Sequence, residues 1–346
     1  MLRFLTAGES HGKGLVAILE GMVSGLNLDV KKIDLELIRR QGGAGRGGRM
    51  KIERDRAEIL SGVKGNKTIG SPIAVLIKNK DYKIEKLPAV YSPRPGHADL
   101  AGVLKYGFDD IRCVLERASA RETAARTAVG AICKMLLAEF KIKINSSICQ
   151  IGGVYNYSDI KRKINEAKKN KDTLGGVFEV RAFNLPIGLG SYVHCDRRLD
   201  GRLSAAVMSI PAVKAVEIGL GFGYAGQFGS GVHDAIYYDK KHNFYRKTNN
   251  AGGLEGGVTN GQPLVIRACM KPISTVGNAL PSVNMLNKKA SKAAVERYDT
   301  CAVEACSVVA EAVIAFELAN AFLEKFGSDS LKELSTNYSN YIKKDR

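Results

Sequence analysis

Residues 300–326 read TCAVEACSVVAEAVIAFELANAFLEKF, a stretch with the length and composition of a long apolar helix. Apolar side chains would cover nearly every side of that helix, which predicts burial against more than one neighbour. Asp299 stands directly before the stretch, where an aspartate is typical of a helix N-cap. The rest of the chain must therefore supply other elements on at least two sides of this helix.

A second long helix is predicted from Ser119 to about Phe140. Its apolar face comprises Ala125, Val129, Ile132, Leu136 and Phe140. Ser119 and Glu122 have the spacing of a capping box, in which the serine accepts a backbone hydrogen bond and the glutamate reaches back. A helix start carries free N–H groups and a partial positive charge, so this one, beside Arg117 and Arg121, can hold an anion. The alternative is an ordinary cap with solvated arginines.

Short segments with strand character lie before and between the predicted helices. They include Leu2–Thr6, Ile73–Ile77, Gly176–Val180, Ala235–Tyr238 and Leu264–Ala268. Since these strands do not alternate regularly with helices, we expect an α+β fold in which helices pack against mainly antiparallel sheets. No low-complexity linker divides the chain. We therefore expect one large domain over residues 1–328, followed by a polar tail over residues 329–346.

A third helix is predicted from Val30 to Gln41, ahead of the glycine-rich loop 42–49. Ile33, Leu37 and Ile38 form its apolar stripe. We expect Arg39 and Arg40, at its C-terminal edge, to point into the loop, which itself contains two arginines, Arg46 and Arg49. Arginine beside glycine favours bidentate binding of phosphate or carboxylate, because the planar guanidinium matches two oxygen atoms at once.

The composition is that of a globular protein, with 45% hydrophobic and 25% charged residues. The formal net charge of +17 indicates an anionic ligand or partner. A basic nucleic-acid-binding protein is one alternative, but it would carry aromatic platforms or a known binding module, and we find neither. We therefore expect no nucleic-acid partner.

Seven cysteines without Cys-x-x-Cys spacing favour neither a disulfide framework nor a structural zinc site. No apolar run of signal-peptide length precedes Glu9, and the uncharged stretch 218–232 is too short to span a bilayer. We expect a cytoplasmic protein without bound metal and without a membrane partner.

Two of the five histidines have unusual surroundings. His11 lies in the segment GESHGKG (8–14), where glycines allow the backbone to approach a ligand closely; the alternative is a solvated turn. His97 lies in SPRPGHAD (92–99), where two prolines restrict the backbone. Because histidine titrates near neutral pH, the pair is a candidate for proton transfer.

The chain resembles the chorismate synthases over nearly its whole length. The motifs that carry the resemblance are GESHG (8–12), Arg39-Arg40 with GRGGRM (45–50), RPGHAD (94–99), ERASARETA (116–124), GGLEGGVTNGQ (252–262), KPIST (271–275) and RYD (297–299). The resemblance implies a β-α-β sandwich, with the long helices between two sheets. It also implies a homotetramer, an oligomer of four identical chains.

The activity implied by the resemblance is a lyase of aromatic amino acid biosynthesis. It would convert 5-enolpyruvylshikimate 3-phosphate into chorismate and phosphate by a 1,4-anti elimination that requires reduced FMN without net oxidation or reduction. NADPH is the implied reductant where such an enzyme reduces its own flavin. A flavin-dependent redox enzyme is the nearest alternative, because the same flavin site could serve another substrate.

The resemblance also implies roles for individual residues. His11 would protonate the departing phosphate, His97 would set the protonation of the reduced flavin, Asp299 would help accept the substrate hydrogen, and Ser10 and Ser119 would support these transfers. Arg40, Arg46, Arg49 and Arg121 would bind substrate anions, the first two also meeting NADPH. The implied flavin contacts are Arg117, Ala118, Ser119, Pro211, Ala212, Gly256, Lys271, Pro272, Ile273, Ser274, Thr275 and Arg297.

Overall fold

Two four-stranded sheets enclose a layer of helices in the computed structural model, which describes residues 1–48, 52–241, 243–327 and 329–344. The strands of the first sheet are β1 (Arg3–Ala7), β2 (Gly14–Glu20), β3 (Glu58–Ile59) and β6 (Ile73–Lys78), in the order β1-β2-β6-β3. Those of the second sheet are β7 (Lys143–Ile151), β8 (Gly176–Phe183), β9 (Val213–Ile218) and β14 (Leu264–Met270), in the order β7-β8-β14-β9.

The helices are α1 (Val30–Gln41), α2 (Asp99–Tyr106), α3 (Arg112–Ala118), α4 (Thr123–Glu139), α5 (Tyr157–Lys169), α6 (Leu199–Met208), α7 (Gly229–Val232), α8 (Val303–Phe326) and α9 (Leu331–Lys344). The smaller strands form four hairpins: β4 (Val63–Lys64) with β5 (Lys67–Thr68), β10 (Ile236–Asp239) with β11 (Asn243–Arg246), β12 (Leu254–Glu255) with β13 (Val258–Thr259), and β15 (Pro281–Val283) with β16 (Ala290–Lys292).

Every pairing within the two large sheets is antiparallel, as predicted. In β2, Leu15, Ala17 and Leu19 point into the core, whereas Ile18 between them pairs with Leu5 on the outer face. This alternation follows from the two-residue period of a strand, which gives each sheet one buried face. The predicted α+β architecture is confirmed.

Helices α4 and α8 pack against each other between the sheets, α4 against the first and α8 against the second. Their contact is unusually close at Gly130, where an added Cβ atom would lie 2.3 Å from the Cβ atom of Ala312. Helix α8 has the length and apolar character of a membrane-spanning helix, but 89% of its most apolar window is buried in the protein. It is the central core helix that its composition predicts.

The ends of the predicted helices differ from the observed ones in two places. Helix α8 is capped by Ala302 and starts at Val303, so Asp299 is not its N-cap. Ser119 accepts a backbone hydrogen bond from Arg121 at 3.3 Å and begins a short 3₁₀ turn before α4, but Glu122 bonds to the Arg126 side chain instead of reaching back. The capping box is therefore only half formed.

Helix α1 has the predicted bounds, but its side chains differ from expectation. Ile33 and Leu37 are buried, whereas Ile38 remains about half exposed. Arg39 does not point into the glycine-rich loop; it binds Glu311 of α8 at 2.7 Å. Only Arg40, at the end of the same helix, turns toward the loop side and is buried.

The segment after residue 328 forms α9. Leu334 of this helix is fully buried, and Tyr338 packs on the rings of Phe140 and Phe322. The helix therefore covers one end of the α4–α8 layer, although its sequence is polar. The division of the chain into a domain that ends at residue 328 and a polar tail stays a prediction of the sequence.

Candidate active site

A cavity of about 520 Å³ lies where the glycine-rich loops meet the starts of α4 and α8. The predicted site residues that line it are Ser10, His11, Arg40, Arg46, His97, Ala118, Ser119, Arg121, Pro211, Ala212, Lys271, Ile273, Ser274, Thr275, Arg297 and Asp299. The two histidines, 86 positions apart in the sequence, thus face one space. Folding brings together residues from motifs spread over almost the whole chain.

Three predicted contacts do not line this cavity. The Arg117 side chain turns toward β1 and donates hydrogen bonds to the carbonyl oxygens of Thr6 and Gly8, each at 3.0 Å. Gly256 lies in the β12–β13 hairpin turn, and Pro272 lies between two residues that do line the cavity. Arg49 lies outside the described residues.

His11 is almost completely buried and is held by the carboxylate of Glu116 in α3. Its Nδ1 atom lies 3.0 and 3.1 Å from the two carboxylate oxygens, and its backbone N–H donates to one of them at 2.7 Å. Burial opposes ionisation of Glu116, but the hydrogen bonds from His11 hold the pKa of this carboxyl below its usual value. His11 thus has an anionic partner on the side away from the cavity.

The loop around His11 is fixed by Asn79, which sequence analysis did not single out. The Asn79 amide nitrogen donates to the carbonyl oxygens of Glu9, Ser10 and Gly12 at 2.8–3.2 Å, and its Oδ1 accepts from Arg121 at 2.9 Å. One amide therefore ties the histidine loop to a predicted substrate arginine.

The glycine at the start of this loop has a clear steric reason. Gly8 has φ +108°, and a Cβ atom there would lie 2.3 Å from the carbonyl oxygen of Gly14. Only glycine combines this backbone angle with so close an approach. The loop is therefore a tight, bonded structure and not the solvated turn that was its alternative.

His97 also has a buried carboxylate behind it. Its Nδ1 atom lies 2.5 Å from Oδ1 of Asp99, the first residue of α2, and Asp99 also accepts from the Arg94 guanidinium at 2.8 Å. Although burial acts the other way, hydrogen bonds from His97 and Arg94 hold the pKa of Asp99 far below its usual value. In both histidines, therefore, the Nδ1 atom of the imidazole lies at hydrogen-bond distance from a buried, ionised carboxylate.

Asp299 contributes to the site by binding the glycine-rich loop. Its carboxylate lies 2.7 Å from Arg46 Nη1 and accepts from the backbone N–H of Gly47 at 2.6 Å. Gly45 accepts from the N–H of Thr300 at 2.8 Å, so the loop and the residues before α8 are joined by their backbones as well. These contacts place Asp299 in the cavity wall.

Arg40 and Arg121 share one buried carboxylate, that of Asp55. Arg121 Nη1 lies 2.7 Å from both Asp55 oxygens, and Arg40 Nη1 lies 3.6 Å from one of them. Burial and the charges of Arg121 and Arg46 lower the pKa of Arg40 to about 10, against the opposing charge of Asp55. An anion in the cavity would relieve this crowding of positive charge.

The same two arginines each have a nitrogen atom that is available to donate hydrogen bonds to a ligand. Arg40 Nη1 and Arg121 Nη2 are buried and have no hydrogen-bond partner among the described residues. Buried donors of charged groups are normally bonded, because their desolvation is costly. These atoms fit a ligand with phosphate or carboxylate oxygens.

Another charged group lies beside His11. Asp81 Oδ2 is 3.7 Å from His11 Nε2, and the Asp81 carboxylate also binds Lys83 at 3.0 Å and Arg297. Burial opposes ionisation, yet hydrogen bonds from Lys83 and Arg297 lower the pKa of Asp81. Lys83 and Arg297 both line the cavity and add to its positive charge.

The segment 271–275 forms the wall nearest to His97. Lys271 Nζ donates to Ser274 Oγ at 2.7 Å, and Ser274 Oγ donates to the carbonyl oxygen of Gly96 at 2.7 Å. Arg94 Nη1 donates to Thr275 Oγ1 at 2.9 Å. Burial, together with nearby Lys214, lowers the pKa of Lys271. The predicted flavin segment is thus bonded to the histidine loop.

An apolar surface completes the cavity. It consists of Leu115, Ile210, Met270, Ile273, Ala302, Ala305, Cys306 and Val309. A cavity lined by apolar side chains and a few convergent polar groups is typical of small-molecule sites. The arginine donors and the apolar side fit a flavin together with a small polyanionic substrate.

Sequence analysis missed Asp55, Asn79 and Asp81. They lie in ordinary polar stretches, and no local pattern distinguishes them from surface residues. Glu116 and Asp99 did stand within quoted motifs, but their pairing with the histidines could be read only from the fold. The sequence held one signal for these pairings, the position of Asp99 only two residues after His97.

Comparison with known proteins identifies the family of the chain. Residues 2–323 match the family described as chorismate synthase. The chain is 54% identical over 344 residues to the chorismate synthase of Thermoanaerobacter pseudethanolicus, covering 99% of this chain and 98% of that protein. It is 50% identical to the chorismate synthase of Aquifex aeolicus, covering 99% and 97% of the two chains.

A crystal structure of chorismate synthase has the same fold. It superposes with a TM-score of 0.83 at 43% sequence identity, covering 99% of this chain and 98% of that one. The predicted sandwich is therefore confirmed. From the family match, the relatives and the shared fold, the chain belongs to the chorismate synthase family, lyases of the shikimate pathway that leads to the aromatic amino acids.

Proposed function

We propose that the protein converts 5-enolpyruvylshikimate 3-phosphate into chorismate and phosphate by 1,4-anti elimination, with reduced FMN as an essential cofactor. The observation that supports this most directly is the single cavity in which His11 and His97, each backed by a buried carboxylate, face Arg40, Arg46 and Arg121. The substrate carries a phosphate and two carboxylates, and these arginines offer matching cationic donors.

His11 acts as the acid in this proposal. Its Nε2 atom is on the side opposite the Glu116 contact, so a proton delivered from Nε2 can meet the departing phosphate oxygen. Ser10 and Ser119, which line the same cavity, support the transfer by hydrogen bonding. The phosphate leaves as a protonated species beside Arg121.

Asp299 receives the substrate hydrogen as a proton. That hydrogen is weakly acidic, and a well-placed base alone contributes only about 10²–10⁴-fold. Bound reduced FMN supplies electron density that assists the loss of phosphate. His97 sets the protonation of the flavin, and the chain holds it through Ala118, Ser119, Pro211, Ala212, the segment 271–275 and Arg297.

The remaining parts of the proposal concern partners. NADPH meets Arg40 and Arg46 where the enzyme reduces its own flavin. The protein acts in the cytoplasm as a homotetramer, without a nucleic-acid or membrane partner. Gly256 and Arg117, which lie away from the cavity of one chain, belong to the flavin contacts carried over from the family and remain proposals.

The test is anaerobic incubation with 5-enolpyruvylshikimate 3-phosphate and chemically reduced FMN, following chorismate by absorbance and phosphate by a colorimetric assay. We expect the two products in equal amounts and no net consumption of reduced FMN. Absence of chorismate would sink the proposal, and stoichiometric flavin oxidation would favour a flavin-dependent redox enzyme. Activity in air with NADPH and FMN would establish that the enzyme reduces its own flavin.

A further inference from the structure

We propose that Glu116 is a positioning residue that fixes the His11 imidazole with a hydrogen on Nδ1 and with Nε2 directed to the cavity. The inference rests on the proposed function for its activity readout. Glu116 does not line the cavity. Its backbone carbonyl oxygen accepts from the N–H of Ser10 at 2.9 Å, but its carboxylate binds His11, so the charge of Glu116 acts through the histidine.

The hydrogen bonds of the Glu116 carboxylate determine which nitrogen of His11 carries the hydrogen. The Glu116 side chain is buried. Its two carboxylate oxygens lie 3.0 and 3.1 Å from Nδ1 of His11, and one of them accepts a hydrogen bond from the backbone N–H of His11 at 2.7 Å. An ionised carboxylate can only accept hydrogen bonds, so Nδ1 must donate. The neutral imidazole then has its lone pair on Nε2, and the imidazolium gives up the Nε2 proton first to a group in the cavity.

A neighbouring arginine, Arg112, stabilises the ionised form of Glu116. Arg112 Nη1, one turn earlier in α3, lies 3.6 Å from Oε1 of Glu116. Arg112 is itself anchored by Glu296 at 3.1 Å and by the carbonyl oxygen of Pro88 at 3.2 Å. A chain of contacts thus joins Arg112 to Glu116 and Glu116 to His11, and of these three residues only His11 lines the cavity.

Other charges also face His11. Asp81 lies 3.7 Å from Nε2 and is paired with Lys83 and Arg297, so its charge is largely offset. Glu116, in contrast, contacts the ring at hydrogen-bond distance, and the Arg112 guanidinium lies farther from it, at 3.6 Å. Among the described residues, Glu116 is therefore the anion with the greatest influence on the orientation and charge of the His11 ring.

The first experiment compares Glu116→Gln with Glu85→Gln. Glu85 is an exposed glutamate that does not line the active-site cavity. Glutamine keeps the shape of the side chain but loses the charge and places an amide donor toward His11. We expect turnover to fall about tenfold or more in Glu116→Gln, by analogy with loss of the acid behind a catalytic histidine, with little change in KM.

The pH profile separates positioning from a merely structural role. Loss of the adjacent anion disfavours the imidazolium, so the alkaline limb of the turnover profile should move to lower pH in Glu116→Gln. Glu85→Gln should keep the wild-type rate and profile. Wild-type turnover with an unchanged profile in Glu116→Gln would overturn the inference, as would a fall in turnover at all pH values with an unmoved alkaline limb.

A second measurement needs no activity. Nitrogen-15 spectra of the imidazoles in the wild-type protein, with His11 identified by its loss in His11→Ala, should show the tautomer with hydrogen on Nδ1. The other tautomer would overturn the inference even if Glu116→Gln does not fold. If the wild-type protein makes no chorismate, the proposed function fails, while this spectrum still decides the role of Glu116.

Discussion

Arg121 binds Asp55 with 2.7 Å between its Nη1 atom and each carboxylate oxygen, although 66 positions separate the two residues. Both side chains are at least 95% buried. The same carboxylate lies within 3.6 Å of Arg40. A single buried acid therefore holds two of the predicted substrate arginines in place, one from the end of α1 and one from the turn before α4.

The first prediction concerns Asp55→Asn. Removal of one partner from a buried ion pair leaves uncompensated charge, which costs about 3–5 kcal/mol of stability. We also expect KM for the substrate to rise, because Arg40 and Arg121 lose their common support. Chemical unfolding and steady-state kinetics measure the two effects.

The control for this prediction is Glu58→Gln. Glu58 pairs with Lys78 at 2.7 Å, but both side chains are more than half exposed, and exposed pairs contribute about 0–1 kcal/mol. Equal losses of stability in the two variants would show that burial of Asp55 has no special importance.

The second prediction concerns the two histidines. His11→Ala and His97→Ala should each lose at least about tenfold in turnover, as expected when a general acid is removed, while the fold and flavin binding are retained. Turnover, flavin titration and circular dichroism measure these properties. His233→Ala, at an exposed position, is the matched control and should behave as wild type. A wild-type rate in either site variant would mean that its histidine has no role in proton transfer.

The third prediction tests the packing of the two central helices. At Gly130 an added Cβ atom would lie 2.4 Å from Cα of Ala312, so Gly130→Ala must push α4 and α8 apart. We expect a loss of about 1–3 kcal/mol from overpacking, although alanine favours helix by itself. Gly201→Ala in α6 has open space around the added atom and should gain about 0.5–1 kcal/mol. Stabilisation by both substitutions would contradict the close contact.

The fourth prediction concerns pH and the buried Glu311 of α8. Burial opposes its ionisation, but hydrogen bonds from Arg39, Lys134 and Ser146 lower the pKa of Glu311 to about 2, below its ordinary value of 4.5. A depressed pKa in the folded state stabilises the protein above the ordinary value. This contribution, roughly 3 kcal/mol from the shift in pKa, should disappear as the pH falls from about 4.5 to about 2.

Denaturant unfolding across this pH range measures the effect. Glu311→Gln should be less stable than wild type at pH 7, and the difference should shrink on acidification. A difference that stays constant down to pH 2.5 would show that the Glu311 network does not carry the acid sensitivity.

Local sequence patterns were enough to predict the class of the fold and the motifs of the site. The apolar periodicity of α1 and α4, the long apolar run of α8 and the short strand patterns predicted helices packed against antiparallel sheets, because these signals arise from neighbouring residues. The glycines around His11 and the prolines near His97 also indicated the two histidine loops, because they are close to the histidines in the sequence.

Which charged side chains pair with one another depends on the folded arrangement of distant segments. Asp299 could have capped α8 but binds Arg46 instead, and Arg39 could have faced the glycine-rich loop but binds Glu311. Asp55 and Glu116 became parts of the site because helices and sheets from distant segments pack together there. Pairings across more than 60 positions depend on the packed layers, and no local sequence pattern records them.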